Sequence, residues 1–110
     1  MLFPKWEHAS FTAVRIIARR TLRYFWQANP DAEQPLKAWF REVEAAQWNS
    51  PHAIKARYRS ASVVGGNRIV FNIAGNKYRL IVKFNFAHGI AYIRFVGTHA
   101  EYDRIDAEVT

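Results

Sequence analysis

Between Arg68 and Val96 the chain alternates apolar and polar side chains with a period of two, and this pattern constrains the fold more than any other feature. The alternation runs through three segments separated by glycine-containing turns: Arg68–Ile73, Lys77–Phe86 and Ile90–Val96. Successive side chains of a β-strand point to opposite faces of a sheet, so period two predicts strands with one apolar face. We therefore expect an antiparallel sheet that is buried on one face only.

The turns between these strands predict their register. Gly75-Asn76 and His88-Gly89 suit two-residue hairpin loops, because such loops need positive φ. Counting back from the first loop places Phe71 opposite Leu80, and the second loop aligns the apolar residues of the third strand in the same way. This agreement supports the loop assignment, since a slip by one residue would turn the apolar face outward.

The same register predicts a row of cations on the other face of the sheet. Arg68 falls opposite Lys83, Lys83 falls opposite Arg94, and Asn72 falls opposite Arg79. Like charges directly opposite each other destabilise a sheet, so stability alone does not explain the row. A bound polyanion would relieve the repulsion, and phosphate matches the charge of these side chains.

The charge of the whole chain agrees with an anionic partner. Among 110 residues, 16 are Lys or Arg and 9 are Asp or Glu, for a net charge of +7. No Asp or Glu occurs between residues 45 and 100. Such a surplus favours nucleic acid first and a membrane surface second.

Composition narrows the classes of protein further. Half of the residues are hydrophobic, which is too many for a disordered chain, and the length suits one domain. The absence of cysteine excludes disulfides and thiolate metal sites. No apolar run reaches the length of a membrane span or resembles a signal peptide, so we expect a cytoplasmic protein.

The first half of the chain predicts helices. Residues 1–13 show no clean period and are interpreted as an N-terminal extension, with one domain over residues 14–110. The expected elements before the alternating region are an edge strand over Val14–Ile17, helices over Arg19–Ala28 and Asp31–Gln47, a helical turn that starts at Asn49-Ser50-Pro51 and runs through Ile54, and a strand over Tyr58–Val64. We expect Asp31 to cap the second helix, and a short helical turn after the last strand with Thr98 as cap. The predicted class is α+β, with an N-terminal helical hairpin packed on a small antiparallel sheet.

The side chains on this sheet favour RNA cleavage over other phosphate chemistry. Paired carboxylates are absent from the predicted sheet, and the sequence has no Walker-type phosphate loop, no nucleophile motif and no tight metal-ligand spacing of its histidines. RNA carries its own nucleophile, the 2′-hydroxyl, so a cleaving protein mainly positions it and neutralises charge. Arg79, Lys83 and Arg94 suit charge stabilisation. His99 and Tyr102 could supply acid or base groups, although structural roles for them are equally consistent with the sequence.

Two segments of the chain resemble the HigB toxin family, a branch of the RelE/ParE superfamily. They are Phe71–Ile81, with its Gly-Asn-Lys-Tyr-Arg-Leu run, and Tyr92–Asp103, with its Thr-His-Ala-Glu-Tyr-Asp run. The resemblance extends over Val14 to about Ala107. It implies a RelE-like fold, ribosome-dependent cleavage of messenger RNA, and a catalytic role for Arg79 in the Tyr-Arg-Leu strand. It also implies a helix-turn-helix antitoxin of the HigA type, and a toxin–antitoxin hetero-oligomer as a possible assembly.

From these arguments we expect two sets of site residues and no metal or cofactor. The catalytic candidates are Arg79, His99, Tyr102 and Lys83. The RNA-binding candidates are Arg68, Asn72, Lys77, Tyr92, Arg94, Lys55 and Arg57. The expected partners are messenger RNA on the ribosome and the antitoxin, with no membrane. Two alternatives remain open at this point: a non-catalytic RNA-binding module, and a ParE-like toxin that acts on gyrase.

Overall fold

The computed structural model describes residues 14–46 and 48–110, and in this part the chain forms one five-stranded mixed sheet. The strands are β1 (Arg15–Ile17), β2 (Ser62–Val64), β3 (Arg68–Ile73), β4 (Tyr78–Asn85) and β5 (Ile90–Thr98). Their order is β1-β5-β4-β3-β2, with β1 parallel to β5 and the other neighbours antiparallel. The predicted N-terminal extension, residues 1–13, lies outside the described residues, as does Gln47.

Four α-helices accompany the sheet within the described residues, which confirms the α+β class. They are α1 (Arg19–Ala28), α2 (Glu33–Ala45), α3 (Pro51–Arg57) and α4 (His99–Tyr102), with a 3-10 turn over Pro30–Ala32 between the first two. The apolar stripes of α1 and α2 pack against one face of the sheet. The resulting core includes Leu22, Trp26, Leu36, Trp39 and Val43 from the helices and Ile69, Phe71, Leu80, Val82 and Phe84 from the strands. Each such side chain contributes about 1.5–3 kcal/mol by leaving water.

The prediction that Asp31 caps the second helix is wrong. Asp31 lies in the 3-10 turn, and the cap position of α2 is Ala32. The carboxylate of Asp31 instead accepts hydrogen bonds from the Tyr78 hydroxyl, at 2.6 Å, and from the ammonium of Lys77. A partner 46 residues away in the chain therefore competes successfully with the local cap.

The strand predicted over Tyr58–Val64 is shorter than expected. Only Ser62–Val64 pairs in the sheet, because α3 continues to Arg57 and the Tyr58 main-chain N–H still bonds to Ile54. The helix begins at Pro51, within the predicted Asn49-Ser50-Pro51 start, and Ser50 caps it because its hydroxyl accepts a hydrogen bond from the Ala53 N–H.

The predicted register is confirmed for the first hairpin and wrong for the second. Between β3 and β4, Phe71 lies opposite Leu80 and Arg68 lies opposite Lys83. Between β4 and β5 the last pair is Asn85 with Ile90, so the turn is centred on Ala87-His88 and not on His88-Gly89, and Lys83 lies opposite Tyr92 rather than Arg94.

The side chain of Asn85 bonds to the turn in the observed register. Its Oδ1 accepts a hydrogen bond from the His88 main-chain N–H at 3.1 Å. Asparagine side chains commonly stabilise turns in this way, and this bond favours a turn that begins directly after Asn85. The register then shifts by one residue at a bulge, because Ile81 pairs with Phe95 while Val82 pairs with Ile93.

Arg94 is the residue left unpaired by this bulge. Two residues of a bulged strand face one residue of its partner, so the alternation of faces changes phase there. The apolar side chains before and after the bulge, Ile93 and Val96, consequently both pack against the core. The bulge keeps β5 amphipathic despite its extra residue.

Candidate nucleic-acid interface

The face of the sheet opposite α1 and α2, here called the reverse face, carries the polar side chains of β3, β4 and β5. Arg68 and Lys83 lie directly opposite each other there, as predicted. Within the described residues no Asp or Glu side chain forms a salt bridge with either of them or with Arg94. The cross-strand repulsion expected from the sequence is therefore not relieved by a neighbouring Asp or Glu.

Arg68 and Arg94 converge although their strands are not adjacent. Their Nε atoms donate hydrogen bonds to the same main-chain oxygen, that of Thr110, at 2.9 Å and 3.2 Å. Lys83 and Arg94 also line a pocket of about 560 Å³ together with Tyr92. The predicted cations thus share one surface, although Arg94 joins it through the bulge. We call this part of the reverse face the pocket end.

Arg79 lies at the other end of β4, next to the β3–β4 turn, which we call the hairpin end. Its Nη1 donates a hydrogen bond to the side-chain oxygen of Asn76 at 2.7 Å. Its guanidinium carbon is 5.7 Å from the ring centroid of Tyr102, within the range of a cation–π contact. The guanidinium is therefore held by two neighbours, and neither of them neutralises its charge.

The short helix α4 brings Tyr102 to this position. Thr98 and Glu101 form the predicted capping box, with the Thr98 hydroxyl accepting from the Glu101 N–H at 3.1 Å and the Glu101 carboxylate accepting from the Thr98 N–H at 2.8 Å. Gly97 is buried just before the cap, and a Cβ there would lie 2.6 Å from the Phe95 ring. Glycine at this position lets the helix start close against the strand.

His99, in the first turn of α4, has a carboxylate partner that the sequence analysis did not identify. Its Nδ1 is 3.3 Å from Oδ2 of Asp103, four residues later, and both side chains are about half exposed. The pair resembles the His–carboxylate couples that orient an imidazole for proton transfer. The signal that could have found Asp103 was its i, i+4 spacing from His99 on a predicted helical turn.

The segment after α4 runs along the reverse face between its two ends. Residues 103–110 begin beside Tyr102 at the hairpin end and finish at Thr110, against the arginines of the pocket end. The cross-strand pair Val70 and Ile81 lies on this face and is buried, although it is separate from the core cluster. The reverse face is therefore not open along its whole length.

Three predicted RNA-binding cations are engaged elsewhere in the structure. Lys55 donates to the main-chain oxygens of Arg59 and Ala61, at 2.5 Å and 2.6 Å, and Arg57 pairs with Glu42. Lys77 pairs with Asp31, which belongs to the helical layer. The hydrogen bonds from Lys77 and Tyr78 lower the pKa of Asp31 below its ordinary value. These three cations do not join the group at the pocket end.

Asn72, the remaining candidate, lies opposite Arg79 and donates a weak hydrogen bond of 3.4 Å to the main-chain oxygen of Ser60.

In the part of the chain that is described, no three His, Asp or Glu side chains are grouped closely enough to bind a metal ion. None of the helices in that part is long and apolar enough to cross a membrane.

The fold and the reverse face define a class: a small basic α+β protein with cations on one surface of its sheet, and a tyrosine and a His–Asp pair on the short helix that follows the last strand. A family model described as HigB_toxin, a RelE-like toxic component of a toxin–antitoxin system, matches residues 32–105. The chain belongs to this family, which confirms the resemblance seen in the sequence and implies an antitoxin partner.

Curated relatives agree with the family assignment. The mRNA interferase toxin HigB of Escherichia coli (strain K12) is 27% identical over 92 residues, covering 82% of this chain and 88% of that protein. The proteins named mRNA interferase HigB from Escherichia coli O157:H7 and Shigella flexneri match with the same identity and coverage.

Proposed function

We propose that this chain is an endoribonuclease that cleaves messenger RNA on the ribosome and thereby stops translation. The observation that carries the proposal is the contact of Arg79 with Tyr102 at the hairpin end, because the short helix that supplies Tyr102 also carries the imidazole of the His99–Asp103 pair. The names of the relatives, which describe mRNA interferases, support the same substrate. The ribosome is proposed as the place of cleavage because of the resemblance to RelE-like toxins.

Arg79 is the group that stabilises negative charge in the proposed reaction. Attack of the RNA 2′-hydroxyl on the adjacent phosphorus forms the 2′-oxygen–phosphorus bond and breaks the bond to the leaving 5′-oxygen. Charge grows on the non-bridging oxygens in the transition state, and a cation already held in place stabilises it without reorganising. The contacts of Arg79 with Asn76 and Tyr102 supply that preorganisation.

His99 is the candidate for proton transfer. With Asp103 accepting from Nδ1–H, the Nε2 atom is left to take the proton of the 2′-hydroxyl or to give one to the 5′-oxygen. Asp103 is a positioning residue in this scheme. Tyr102 supports Arg79 and is a second candidate for the acid. The scheme uses only side chains of this chain, so we expect cleavage without a metal ion.

Lys83, predicted from sequence as a catalytic candidate, fits a phosphate-binding role better. It lies four residues from Arg79 on the same strand, so their Cα atoms are about 13 Å apart. Arg79 also points toward Asn76 and Tyr102, on the side away from Lys83. We therefore assign Lys83, Arg68 and Arg94 to phosphates beside the scissile one, and Arg79 to the scissile phosphate itself.

The cognate antitoxin, in this proposal, is a helix-turn-helix protein of the HigA type that forms a hetero-oligomer with the toxin. A net charge of +7 favours an acidic antitoxin surface, as it favours RNA. Competition between antitoxin and RNA for the reverse face would couple binding to inhibition.

The test is cleavage of a defined message on purified translating ribosomes, with and without EDTA. We expect cleavage by the wild-type protein in both conditions and none by Arg79→Ala, with Arg20→Ala on the exposed surface of α1 as the matched control. Binding of the message without cleavage would favour the non-catalytic module. Inhibition of gyrase with no effect on messages would favour the ParE-like alternative.

A further inference from the structure

The pocket at the far end of β4 combines features that suit one nucleotide. It has a volume of about 560 Å³, within the usual range of small-molecule sites. Its lining comprises Asn67, Lys83, Phe84, Asn85, Phe86, Ala87, Tyr92 and Arg94. Cations, an aromatic ring and a side-chain amide therefore border the same space, whereas phosphate binding alone needs only the cations.

Tyr92 offers a stacking surface in this pocket. It lies opposite Lys83 on the reverse face and is partly exposed. Unstacked bases in single-stranded RNA commonly stack on aromatic side chains, and the interaction tolerates any base. A base on Tyr92 would place its phosphate within reach of the neighbouring Lys83 and Arg94.

Asn85 offers a hydrogen-bond donor whose direction is fixed. Its Oδ1 accepts from the His88 main-chain N–H and contacts the His88 ring nitrogen, both at 3.1 Å. Among the described residues its Nδ2 has no hydrogen-bond partner, so both N–H groups are available. A donor oriented in this way can distinguish base edges that present an acceptor from those that do not.

The oxygen of Thr110 indicates where a phosphate oxygen would lie. It accepts hydrogen bonds from two arginines at 2.9 Å and 3.2 Å, and one of them, Arg94, also lines the pocket. Arginine is well suited to phosphate oxygens, which accept several charge-assisted hydrogen bonds at once.

We propose that this pocket binds one ribonucleotide of the message, with its base stacked on Tyr92 and read by the Asn85 amide, and its phosphate held by Arg94 and Lys83. The inference rests on the proposed function, because it assumes that RNA lies on the reverse face. It adds a determinant of cleavage specificity that is separate from the catalytic groups at the hairpin end.

The first experiment titrates the full chain with the four ribonucleoside 5′-monophosphates, which contain no bond that the enzyme could cleave. Resonances of the Asn85 side-chain amide and the Tyr92 ring report binding by NMR. We expect both to shift, with affinities that differ between the four bases. Equal affinity and equal shifts with inorganic phosphate or ribose 5-phosphate would overturn the inference, because the site would then bind only an anion.

The second experiment uses matched variants. Tyr92→Leu is expected to weaken nucleotide binding roughly tenfold, while Tyr92→Phe retains the stacking surface and the affinity. Tyr24→Leu, at an exposed position on α1, is the control for loss of a tyrosine. Wild-type affinity in Tyr92→Leu, with its spectrum showing a native fold, would contradict the proposal.

Asn85→Asp tests the reading of the base. The carboxylate still accepts from His88 but replaces the amide donor by an acceptor, so the order of preference among the bases should change. The added charge lowers affinity for all four nucleotides alike, so the ratios between bases are the measured quantity; Asn49→Asp is the surface control. Unchanged ratios would exclude Asn85 as the specificity residue.

These measurements separate the inference from the proposed function. Nucleotide titrations do not depend on ribosomes or on cleavage. Cleavage that requires Arg79 but shows no base preference sensitive to Tyr92 or Asn85 would refute the pocket and leave the endoribonuclease standing. Base-dependent binding in the pocket without any cleavage of messages would refute the endoribonuclease alone.

Discussion

The two ends of the reverse face hold their arginines in opposite ways. At the hairpin end, Arg79 is fixed by the Asn76 side chain and the Tyr102 ring. At the pocket end, Arg68 and Arg94 share a single main-chain oxygen that a stronger ligand could replace. A fixed cation suits a transition state, whereas cations on a replaceable acceptor suit binding. The strands set the positions of the cations, and the groups that contact each cation determine whether it suits transition-state stabilisation or RNA binding.

The largest expected effect concerns the fixed arginine. Arg79→Ala should lower the cleavage rate on translating ribosomes by about 10²–10³-fold, because one preorganised charge stabiliser is lost. Affinity for the message should change little, since Arg68, Lys83 and Arg94 remain. Rate and affinity are measured separately, by single-turnover cleavage and by ribosome pelleting. A large loss of affinity with an unchanged bound-state rate would reverse the assignment of the two ends.

His99→Ala should lower the single-turnover rate by about 10²-fold, a typical contribution of a general acid or base. Asp103→Asn should lower it less, because the amide can no longer hold the imidazole as the carboxylate does. Asp106→Asn, in the same segment but away from the imidazole, is the control. Equal rates in His99→Ala and wild type would leave Tyr102 as the proton-transfer group.

Charge changes at the pocket end should alter RNA affinity and its salt dependence rather than the rate of the cleavage step. Lys83→Glu should weaken RNA binding by about tenfold or more and reduce the slope of log affinity against log salt by about 0.7, as expected for one lost phosphate contact on single-stranded RNA. Fluorescence anisotropy over a salt series measures both quantities. An unchanged salt slope would count against phosphate binding at this end.

A smaller effect is expected from removing the segment that supplies the shared oxygen. Deleting residues 106–110 frees Arg68 and Arg94, so RNA affinity should rise a few-fold. Little packing is lost, since Val109 in this segment is 73% exposed. The same anisotropy assay measures the change, and circular dichroism checks the fold. Weaker binding after deletion would mean that the segment contributes to the RNA site.

The smallest effect is expected where a cation is engaged outside the reverse face. Lys77 and Tyr78 lower the pKa of Asp31 through hydrogen bonds, so ionised Asp31 stabilises the fold at neutral pH. This contribution is lost as the pH falls through the lowered pKa of the folded state. Asp31→Asn should therefore lower the urea midpoint at pH 7 and converge with wild type in acid. RNA affinity should stay unchanged, and a clear loss would place Lys77 in the binding surface.

Sequence reasoning found the strands and the first hairpin because local chemistry decides them. Gly75 adopts a φ of 70°, as its turn requires, and the register of β3 with β4 follows from that turn. The register of the second hairpin could not be predicted in the same way, because the Asn85 side chain bonds to the His88 N–H and the turn is centred one residue earlier than glycine preference indicates. The preference of glycine for a turn at His88-Gly89 and the preference of the Asn85 side chain for bonding to a turn indicate different registers, and turn preferences alone do not show which one prevails.

The candidate site was predicted less completely than the fold. The cations of the reverse face follow from alternation along the strands, so Arg68 and Lys83 were placed correctly. Their partners do not follow from any local pattern, since Lys77 meets Asp31 and Arg68 meets Thr110 across long stretches of chain. Such contacts depend on how the layers pack, which periodicity does not specify.

The bulge in β5 has a consequence for how this strand can vary. Every other residue from Ile90 to Thr98 has a counterpart on β4, and Arg94 has none. Omitting it would let the ladder run without interruption, with Ile93 and Phe95 as consecutive residues that keep their present partners. Arg94 is thus an insertion that the sheet does not need for its own strand pairing, and its side chain instead bonds to the Thr110 oxygen outside the sheet.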